Sequence, residues 1–297
     1  MLDRYLKNLS VEVEPFALCM LDSGWRLTLP GPPVAMLHFI VQGEGWVTVK
    51  NGLRQRISPN WLVVIPAGNA HSLETRSQMR HELRIENAPD GPPVHRIKAG
   101  NEGPLEMVVG CGTVDVRFGE AVGLFDHLGE ALVVDLSTVP EVPLLYQGML
   151  TEQADGQTGE SVLQGAIMTQ LLVHMFRKLS TNNESTLPWL AALEDPRLAA
   201  ALDAIMENPG ASHTVESLAE IAHMSRSAFA KAFHEAFDRS PISLVNHVRM
   251  EYAVRLLSTG QVPVEQVASR IGFSSRSHFS QAFKKHTGMT PVEYRSS

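Results

Sequence analysis

The spacing of hydrophobic residues changes along the chain, and its first part has the short period of β-strands. Between about residues 16 and 116, runs of β-branched and aromatic residues alternate with Gly, Pro and Asn, as strands and turns do. Five runs have the length of a strand: residues 25–29, 36–41, 46–49, 61–65 and 107–111. Many short strands at close spacing predict an antiparallel barrel or sandwich.

After Gly119 the spacing of the apolar residues becomes helical. Residues 124–128 and 161–179 have apolar positions three and four apart, so both segments are predicted to be helices. The predicted apolar face of the second helix comprises Val162, Ile167, Leu171, Leu172, Met175 and Phe176. Residues 180–188 lack apolar periodicity, and we expect a linker at 181–194.

The last hundred residues are predicted to be almost entirely helical. Thr214 and Ser225 each precede an apolar-periodic run, and their hydroxyls are favoured N-caps because they accept hydrogen bonds from free backbone amides. Pro209 and Gly210 are expected to end the helix that precedes Thr214. The expected helices span residues 196–208, 215–222, 226–237, 241–258, 264–270, 275–286 and 291–294.

The most specific feature of this region is a repeat at an offset of fifty residues. The first copy comprises Ile221, Ser225, Arg226, Ser227, Phe229, Ala232, Phe233 and Pro241, and the second comprises Ile271, Ser275, Arg276, Ser277, Phe279, Ala282, Phe283 and Pro291. Each copy runs from a short helix through a turn into a second helix, which is the pattern of a helix-turn-helix. Two such motifs in tandem predict two helices in successive major grooves of one duplex, about 34 Å apart.

The second helix of each copy has one face for packing and one for contacts with DNA. Phenylalanines four residues apart form the packing face. The opposite faces carry Arg226, Ser227 and Lys231 in the first copy and Arg276, Ser277 and Gln281 in the second. Arg and Gln have bidentate options for guanine and adenine, and the helix starts at Ser225 and Ser275 offer amides to phosphate. A plain helical bundle with a solvated Ser-Arg-Ser surface is the alternative.

Charge is distributed unevenly along the chain. Its net charge of −7 divides into −8 for residues 1–194, with 14 basic and 22 acidic residues, and +1 for residues 195–297, with 11 and 10. A DNA-binding part with little net charge depends less on counterion release, so we expect modest nonspecific binding. No run of eighteen apolar residues occurs, and we expect a soluble, cytoplasmic protein with no membrane partner.

Residues 195–297 closely resemble the C-terminal part of AraC/XylS-type transcriptional regulators. The positions that carry the resemblance are Gly272, Phe273, Ser277, Phe279, Phe283, Lys284, Gly288, Pro291, Tyr294 and Arg295. It implies a double helix-turn-helix that reads a double-stranded DNA operator, with RNA polymerase as a partner. The base-facing positions that it implies are Ser227, Ala230, Lys231, Arg276, Ser277 and Gln281. Ala230 departs from a polar reader, because it can make only an apolar contact, such as with a thymine methyl.

Residues 10–120 resemble the cupin domains that serve as sensors in many such regulators. His38 and Glu44 match the first cupin motif and His71 matches the second, whereas Ile40 stands where another histidine is expected. Two interpretations stay open: the three ligands hold a transition metal such as zinc, nickel, copper or iron, or the barrel has two interior histidines and no metal. The missing histidine argues against a cupin enzyme. A small-molecule pocket is expected at the inward-facing positions around Trp25, His38, Trp46, Trp61 and His71.

Cys19 and Cys111 both lie in apolar segments. Their number and spacing exclude a disulfide framework and a zinc finger. They are either buried inert thiols or an oxidant sensor, or Cys111 joins His38 and His71 around a metal. The helix at 161–179 likewise has two interpretations: it packs on its own barrel, or it pairs with its copy in a homodimer.

These features together predict a multidomain α+β protein. We expect a cupin-like β-barrel sensor at 1–120, a helical connector with possible dimerisation helices at 121–180, the linker, and an all-α double helix-turn-helix domain at 195–297. The predicted function is non-enzymatic, sequence-specific transcription regulation, controlled by a signal in the barrel that we expect to be a small molecule. Redox or metal sensing, through Cys19 and Cys111 or through His38 and His71, is the alternative.

Overall fold

The computed structural model divides the chain into two compact units. It describes residues 9–14, 16–49, 54–85, 96–101, 103–118, 122–125, 128–155, 157–181, 195–258 and 262–296, together with Leu6, Leu187, Leu190 and Ala192. The first unit, called the barrel unit below, comprises Leu9–Arg117 and Gly123–Thr186. The second, called the helical unit, is centred on Leu187–Ser297.

Short strands make up most of the barrel unit. They are β1 (Leu9–Val13), β2 (Ala17–Asp22), β3 (Trp25–Leu29), β4 (Ala35–Gln42), β5 (Gly45–Val49), β6 (Arg54–Ile57), β7 (Trp61–Ile65), β8 (His71–Thr75), β9 (His81–Arg84), β10 (Arg96–Ala99), β11 (Leu105–Phe118), β12 (Val122–Gly123) and β13 (Leu132–Asp135). The predicted strands at 25–29 and 61–65 are confirmed at their expected bounds. The strand predicted at 107–111 is longer than expected, because β11 continues past Cys111.

The strands form two sheets around one apolar core. One sheet has the order β10-β2-β11-β4-β7-β13, with β1 and β12 also paired to β11, and the other has the order β6-β5-β8-β3-β9. The central pairs are antiparallel, whereas β10 pairs with β2 and β9 pairs with β3 in parallel. Leu21, Ile40 and Val63 of the first sheet and Leu27 and Leu73 of the second belong to one buried cluster. The predicted β-barrel is therefore confirmed.

The helix predicted at residues 124–128 is wrong. The preceding residues form β12, and the amide of Leu124 donates to the carbonyl of Val116 at 2.8 Å. Leu124 and Phe125 are buried, while Asp126 and His127 lie outside the described residues. A run of five residues is too short to distinguish a helix from a buried loop by its period alone. The barrel also extends beyond the expected boundary at residue 120, since β13 pairs with β7.

Two helices follow the barrel and pack on it. They are α1 (Val142–Asp155) and α2 (Glu160–Thr181). The helix predicted at 161–179 is confirmed, and it contacts α1, β1 and β13. Leu171, Leu172, Met175 and Phe176 of its predicted face are buried, but Val162 is 73% exposed. Sequence reasoning did not predict α1, in which Pro143 and Gly148 interrupt the apolar pattern.

The helical unit has the elements that cap and breaker residues predict. Its helices are α3 (Pro196–Glu207), α4 (Val215–Ile221), α5 (Arg226–Phe237), α6 (Pro241–Ser258), α7 (Val264–Arg270), α8 (Arg276–Thr287) and α9 (Pro291–Ser296). Part of the apolar core joins Ala253 and Leu257 of α6 to Val267 of α7 and to Phe279 and Phe283 of α8. Among the described helices, none is both long and apolar enough to cross a membrane.

Candidate nucleic-acid interface and sensor core

The helical unit contains two helix-turn-helix motifs, and local hydrogen bonds fix where their helices begin. The first motif is α4 with α5, and the second is α7 with α8; α5 and α8 are the recognition helices. The Ser225 hydroxyl accepts from the amide of Ala228 at 3.3 Å, and Ser275 accepts from the amide of His278 at 3.5 Å. Both serines are thus the N-caps that the sequence predicts.

The turns of the two motifs reverse the chain at different residues. In the first, His223 has a left-handed φ of 50° and the amide of Met224 donates to the carbonyl of Ala219. In the second, Gly272 has φ 79° and the amide of Phe273 donates to Ala268. Relative to the N-cap serine, the left-handed residue therefore lies one position earlier in the second motif. Glycine occupies that position and adopts a left-handed φ without steric cost.

Each recognition helix buries one face and exposes the other. Phe229 and Phe233 of α5 are fully buried, as are Phe279 and Phe283 of α8. The predicted contact residues on the opposite faces are exposed, namely Arg226, Ser227 and Lys231 on α5 and Arg276, Ser277 and Gln281 on α8. Ala230 is only partly exposed, which leaves a small apolar surface at that position.

The exposed cations of the two motifs differ in their partners. Arg226 forms an ion pair with Glu216 of α4 at 2.9 Å, and Lys231 lies 3.8 Å from Glu235. Arg276 has no such partner within the residues that the structure describes. Exposed ion pairs contribute only about 0.2–1 kcal/mol, so a phosphate could displace Glu216. Arg276 can bind a phosphate without first giving up such an ion pair.

Helix α6 is joined to the loop between α3 and α4 by a residue that sequence reasoning missed. The Arg249 guanidinium donates from Nε to the carbonyl of Pro209 and from Nη2 to that of Ala211, each at 2.8 Å. A Cβ on Gly272 would lie 2.4 Å from the carbonyl oxygen of Gly210, so the two backbones are in close contact. Burial lowers the pKa of Arg249. Gly210 and Gly272 were the sequence signal that could have indicated the close contact of these two backbone segments.

The barrel interior contains a pair of histidines in direct contact. His38 and His71 are buried, and their Nε2 atoms are 2.7 Å apart. Burial lowers the pKa of His71 to about 4, and burial followed by the charge of His71 lowers that of His38 well below its usual range. Both rings are therefore neutral at neutral pH. Because His71 Nδ1 lies 3.1 Å from the carbonyl of Asn69, we assign the proton to that nitrogen, and His38 Nε2–H then donates to His71.

This assignment leaves His38 Nδ1 as an acceptor. That atom is buried and has no hydrogen-bond partner among the described residues. A buried polar atom without a partner costs about 1–3 kcal/mol. The histidine pair is therefore an unsatisfied polar feature within an apolar core.

The two cysteines lie beside this pair. Cys111 on β11 is opposite His38 on β4, and Cys19 on β2 is opposite Val109 on β11. Both thiols are buried, and the Cys111 thiol interacts with Cys19. Burial, followed by the neighbouring Cys19, raises the pKa of Cys111 well above its usual value. The Cys111 thiol is therefore protonated at rest.

Glu44 does not join the histidines as the cupin resemblance implies. Its carboxylate pairs with Arg56 at 2.9 Å and with Arg76 at 3.1 Å. Among the described residues, neither Glu44 nor Cys111 joins His38 and His71 in a group that could hold a metal, and His38 is fully buried. The residues do not fit the expected metal centre. Both arginines come close to Glu44 only when the strands pair, so the residue spacing of the cupin motif could not indicate them.

The predicted pocket residues also divide between the two faces of the barrel. Trp25 and Trp61 pack against the interior cluster, as expected. Trp46 does not point inward: it alternates with the buried Val47 on β5 and lies under the Arg54 guanidinium, 4.6 Å from the ring centroid. The strand register, which sequence alone leaves open, decides this orientation.

Comparisons with known proteins agree with this architecture. A model of the family described as "Cupin" matches residues 1–181, and one described as "Helix-turn-helix domain" matches residues 218–297. The HTH-type transcriptional regulator AlkR of Acinetobacter baylyi is 29% identical over 91% of this chain and 90% of its own. The RCS-specific HTH-type transcriptional activator RclR of Escherichia coli is 27% identical, over 93% and 90%.

Among solved structures, the DNA-binding domain of AdpA in complex with a target DNA is 31% identical, with a TM-score of 0.32, and covers 34% of this chain and 91% of that one. The cupin match spans more than half of the chain, and the helix-turn-helix match includes both recognition helices. The chain belongs to the AraC family of helix-turn-helix transcriptional regulators and carries an N-terminal cupin domain.

Proposed function

We propose that the protein binds specific DNA sequences by placing α5 and α8 in successive major grooves. The observation that carries this proposal is the shared design of the two helices: each exposes Arg, Ser and a long polar side chain opposite a buried phenylalanine pair. Arg276 and Gln281 of α8 have the bidentate geometry that suits guanine and adenine. Arg226 and Lys231 of α5 suit phosphate or a guanine edge.

The helix starts support backbone binding beside these base contacts. Ser225 and Ser275 cap the recognition helices, and the free amides of the first turn favour a phosphate there. Such contacts position a protein on the duplex without reading its sequence. In this proposal, Ser225 and Ser275 set the register, and the outward residues of α5 and α8 supply specificity.

Selection of the full chain on random-sequence duplexes tests this proposal. Two short preferred elements, with centres about one helical turn apart, are the expected result. Recovery of duplexes without a common sequence would contradict sequence-specific binding. Recovery of one element alone would contradict insertion of both helices.

We propose that a signal in the barrel unit controls this DNA binding, and that the signal is a small molecule. The support is the unsatisfied His38 Nδ1 within an apolar interior, which favours a largely apolar compound with one hydrogen-bond donor.

Such a compound would raise the melting temperature of the protein and change its DNA affinity about 5–150-fold. Replacement of the acceptor in His38→Phe is expected to abolish both effects. A response that persists in this variant, or a library in which no such compound shifts the melting temperature, would contradict the proposal.

A second candidate signal is a small oxidant, and the burial of Cys19 and Cys111 in one core cluster favours it. Hydrogen peroxide would take two electrons and two protons from the pair, forming one disulfide and two waters. Mass spectrometry of the oxidised chain would then find Cys19 joined to Cys111, and Cys19→Ser would lose the response. If DNA binding responds to peroxide equally in Cys19→Ser, this candidate is wrong.

The remaining features of the proposal follow from family membership. We propose that the protein acts in the cytoplasm, contacts RNA polymerase and catalyses no reaction, as expected of a transcription regulator. A homodimer is also proposed, with the exposed Val162 and Leu163 at the start of α2 as support. Analytical ultracentrifugation of the wild type and of Val162→Glu tests the dimer, which the charged side chain should dissociate.

A further inference from the structure

Three side chains with metal-binding atoms meet between α6 and the end of α8. His247 and Glu251 are four residues apart on α6, so they share one face of that helix, and His286 comes from the last turn of α8. One ligand atom from each lies within 4.8 Å of the others. The His247 and His286 ring centroids are 5.2 Å apart, and His286 Nε2 lies 2.6 Å from a Glu251 carboxylate oxygen.

The donor set matches a known coordination chemistry. Two imidazoles and one carboxylate are a ligand set for zinc, with distances of about 2.0–2.2 Å and a fourth position open to water. Imidazole also suits nickel and copper. In a tetrahedral arrangement, neighbouring ligand atoms are about 3.3 Å apart. A small side-chain rotation that separates Glu251 from His286 would therefore make room for the ion.

The location also permits an ion to enter. The side chains of His286 and Glu251 are 25% and 19% exposed, so the cluster is neither sealed nor fully solvated. Glu251 also lines a cleft of about 350 Å³ between the end of α3, α6 and the end of α7. The histidine pair of the barrel, in contrast, lacks both a third ligand and exposure to solvent.

We propose that His247, Glu251 and His286 form a binding site for one divalent transition-metal ion, which joins the second recognition helix to α6. The ligands come from two helices, so a bound ion would hold the end of α8 at a fixed position. Among the described residues, the first recognition helix has no matching site, since the residue fifty positions before His286 is Ala236, which is buried. The site would thus stabilise the second helix-turn-helix and leave the first unaffected.

Cobalt(II) titration of the full chain, freed of metal by a chelator, tests the site. One equivalent of cobalt is expected to bind and to give the visible absorption of a four- or five-coordinate ion. His247→Gln and His286→Gln should each weaken binding by more than the about 10–100-fold that loss of an outer-shell partner costs. His234→Gln serves as the matched control, since His234 is an exposed histidine near the end of α5, and it should bind cobalt like the wild type.

Melting temperatures with and without Zn²⁺ provide the second measurement. Zinc should raise the melting temperature of the wild type and of His234→Gln, but not those of the two ligand variants. The ligand variants lie on different helices, so failure of one to fold leaves the other to decide. The proposal is overturned if the wild type binds no cobalt, or if both ligand variants bind it as tightly as the control. DNA binding by the metal-free protein is a separate outcome, which tests the proposed function alone.

Discussion

In the first helix-turn-helix, Glu216 of α4 forms an ion pair with Arg226, whereas Glu265, at the same position of α7, forms none with Arg276 among the described residues. The contrast continues along the recognition helices. Lys231 lies near Glu235 on α5, and the matching residues on α8 are Gln281 and Lys285. The motifs therefore agree at their buried positions and differ in the charge that they present.

This difference shows how the two copies of a duplicated motif can take different roles in DNA binding. The buried phenylalanines and the N-cap serines are copied because both helices need the same packing and the same start. The outward residues are free to differ, since they affect contacts with DNA rather than folding. We infer that the second motif supplies most of the sequence specificity and that the first mainly positions the protein on the duplex.

Truncation of the copied core tests whether the two frameworks are equivalent. Phe229→Ala and Phe279→Ala should each destabilise their motif by about 3–5 kcal/mol, because a large cavity remains at a fully buried position. Hydrogen exchange of the α5 and α8 amides measures the two effects separately. Phe279→Leu, which keeps more of the volume, should lose less. A large loss in one motif and none in the other would show that the frameworks are not equivalent.

Changes at the left-handed residues test the difference between the turns. Gly272→Ala should destabilise the second motif by about 1–3 kcal/mol, since φ is 79° and the new Cβ would meet the carbonyl of Gly210. His223→Gly should change stability by less than about 1 kcal/mol, because relief of the left-handed φ is offset by the greater freedom of glycine in the unfolded chain. Hydrogen exchange reports both. Equal effects of the two variants would contradict the proposed roles of these residues.

Removal of the carboxylate at the second residue of α4 and of α7 has the smallest expected effect. Glu216→Gln should raise DNA affinity a few-fold, since it releases Arg226 from a pair of about 0.2–1 kcal/mol. Glu265→Gln should raise it less, because Glu265 forms no ion pair with Arg276 among the described residues. Fluorescence anisotropy at fixed salt measures both. A larger gain in Glu216→Gln than in Glu265→Gln supports the comparison, and equal affinities of the two variants would show that the Glu216–Arg226 ion pair does not affect DNA binding.

Features that depend on neighbouring residues could be predicted from the sequence. The N-caps at Thr214, Ser225 and Ser275 are confirmed, because a cap is a hydrogen bond within four residues. The offset of fifty residues located both recognition helices for the same reason. The DNA contacts assigned to their outward residues stay predictions.

Features that depend on distant pairing could not be predicted. Glu44 matched a cupin motif by spacing, yet Arg56 and Arg76 bind its carboxylate. The outward orientation of Trp46 follows from strand register. Arg249 has no local signature at all, since its acceptors lie about forty residues earlier in the chain.

The unequal roles of the two motifs are tested most directly by comparing Arg226→Ala with Arg276→Ala on a selected duplex and on a random one. Arg276→Ala should weaken binding to the selected duplex by about 1–3 kcal/mol, or roughly 5–150-fold, and affect the random duplex much less. Arg226→Ala should cause a smaller loss that is similar on both duplexes. A larger loss of specificity in Arg226→Ala, or an equal loss on both duplexes in Arg276→Ala, would contradict the assignment of specificity to the second motif.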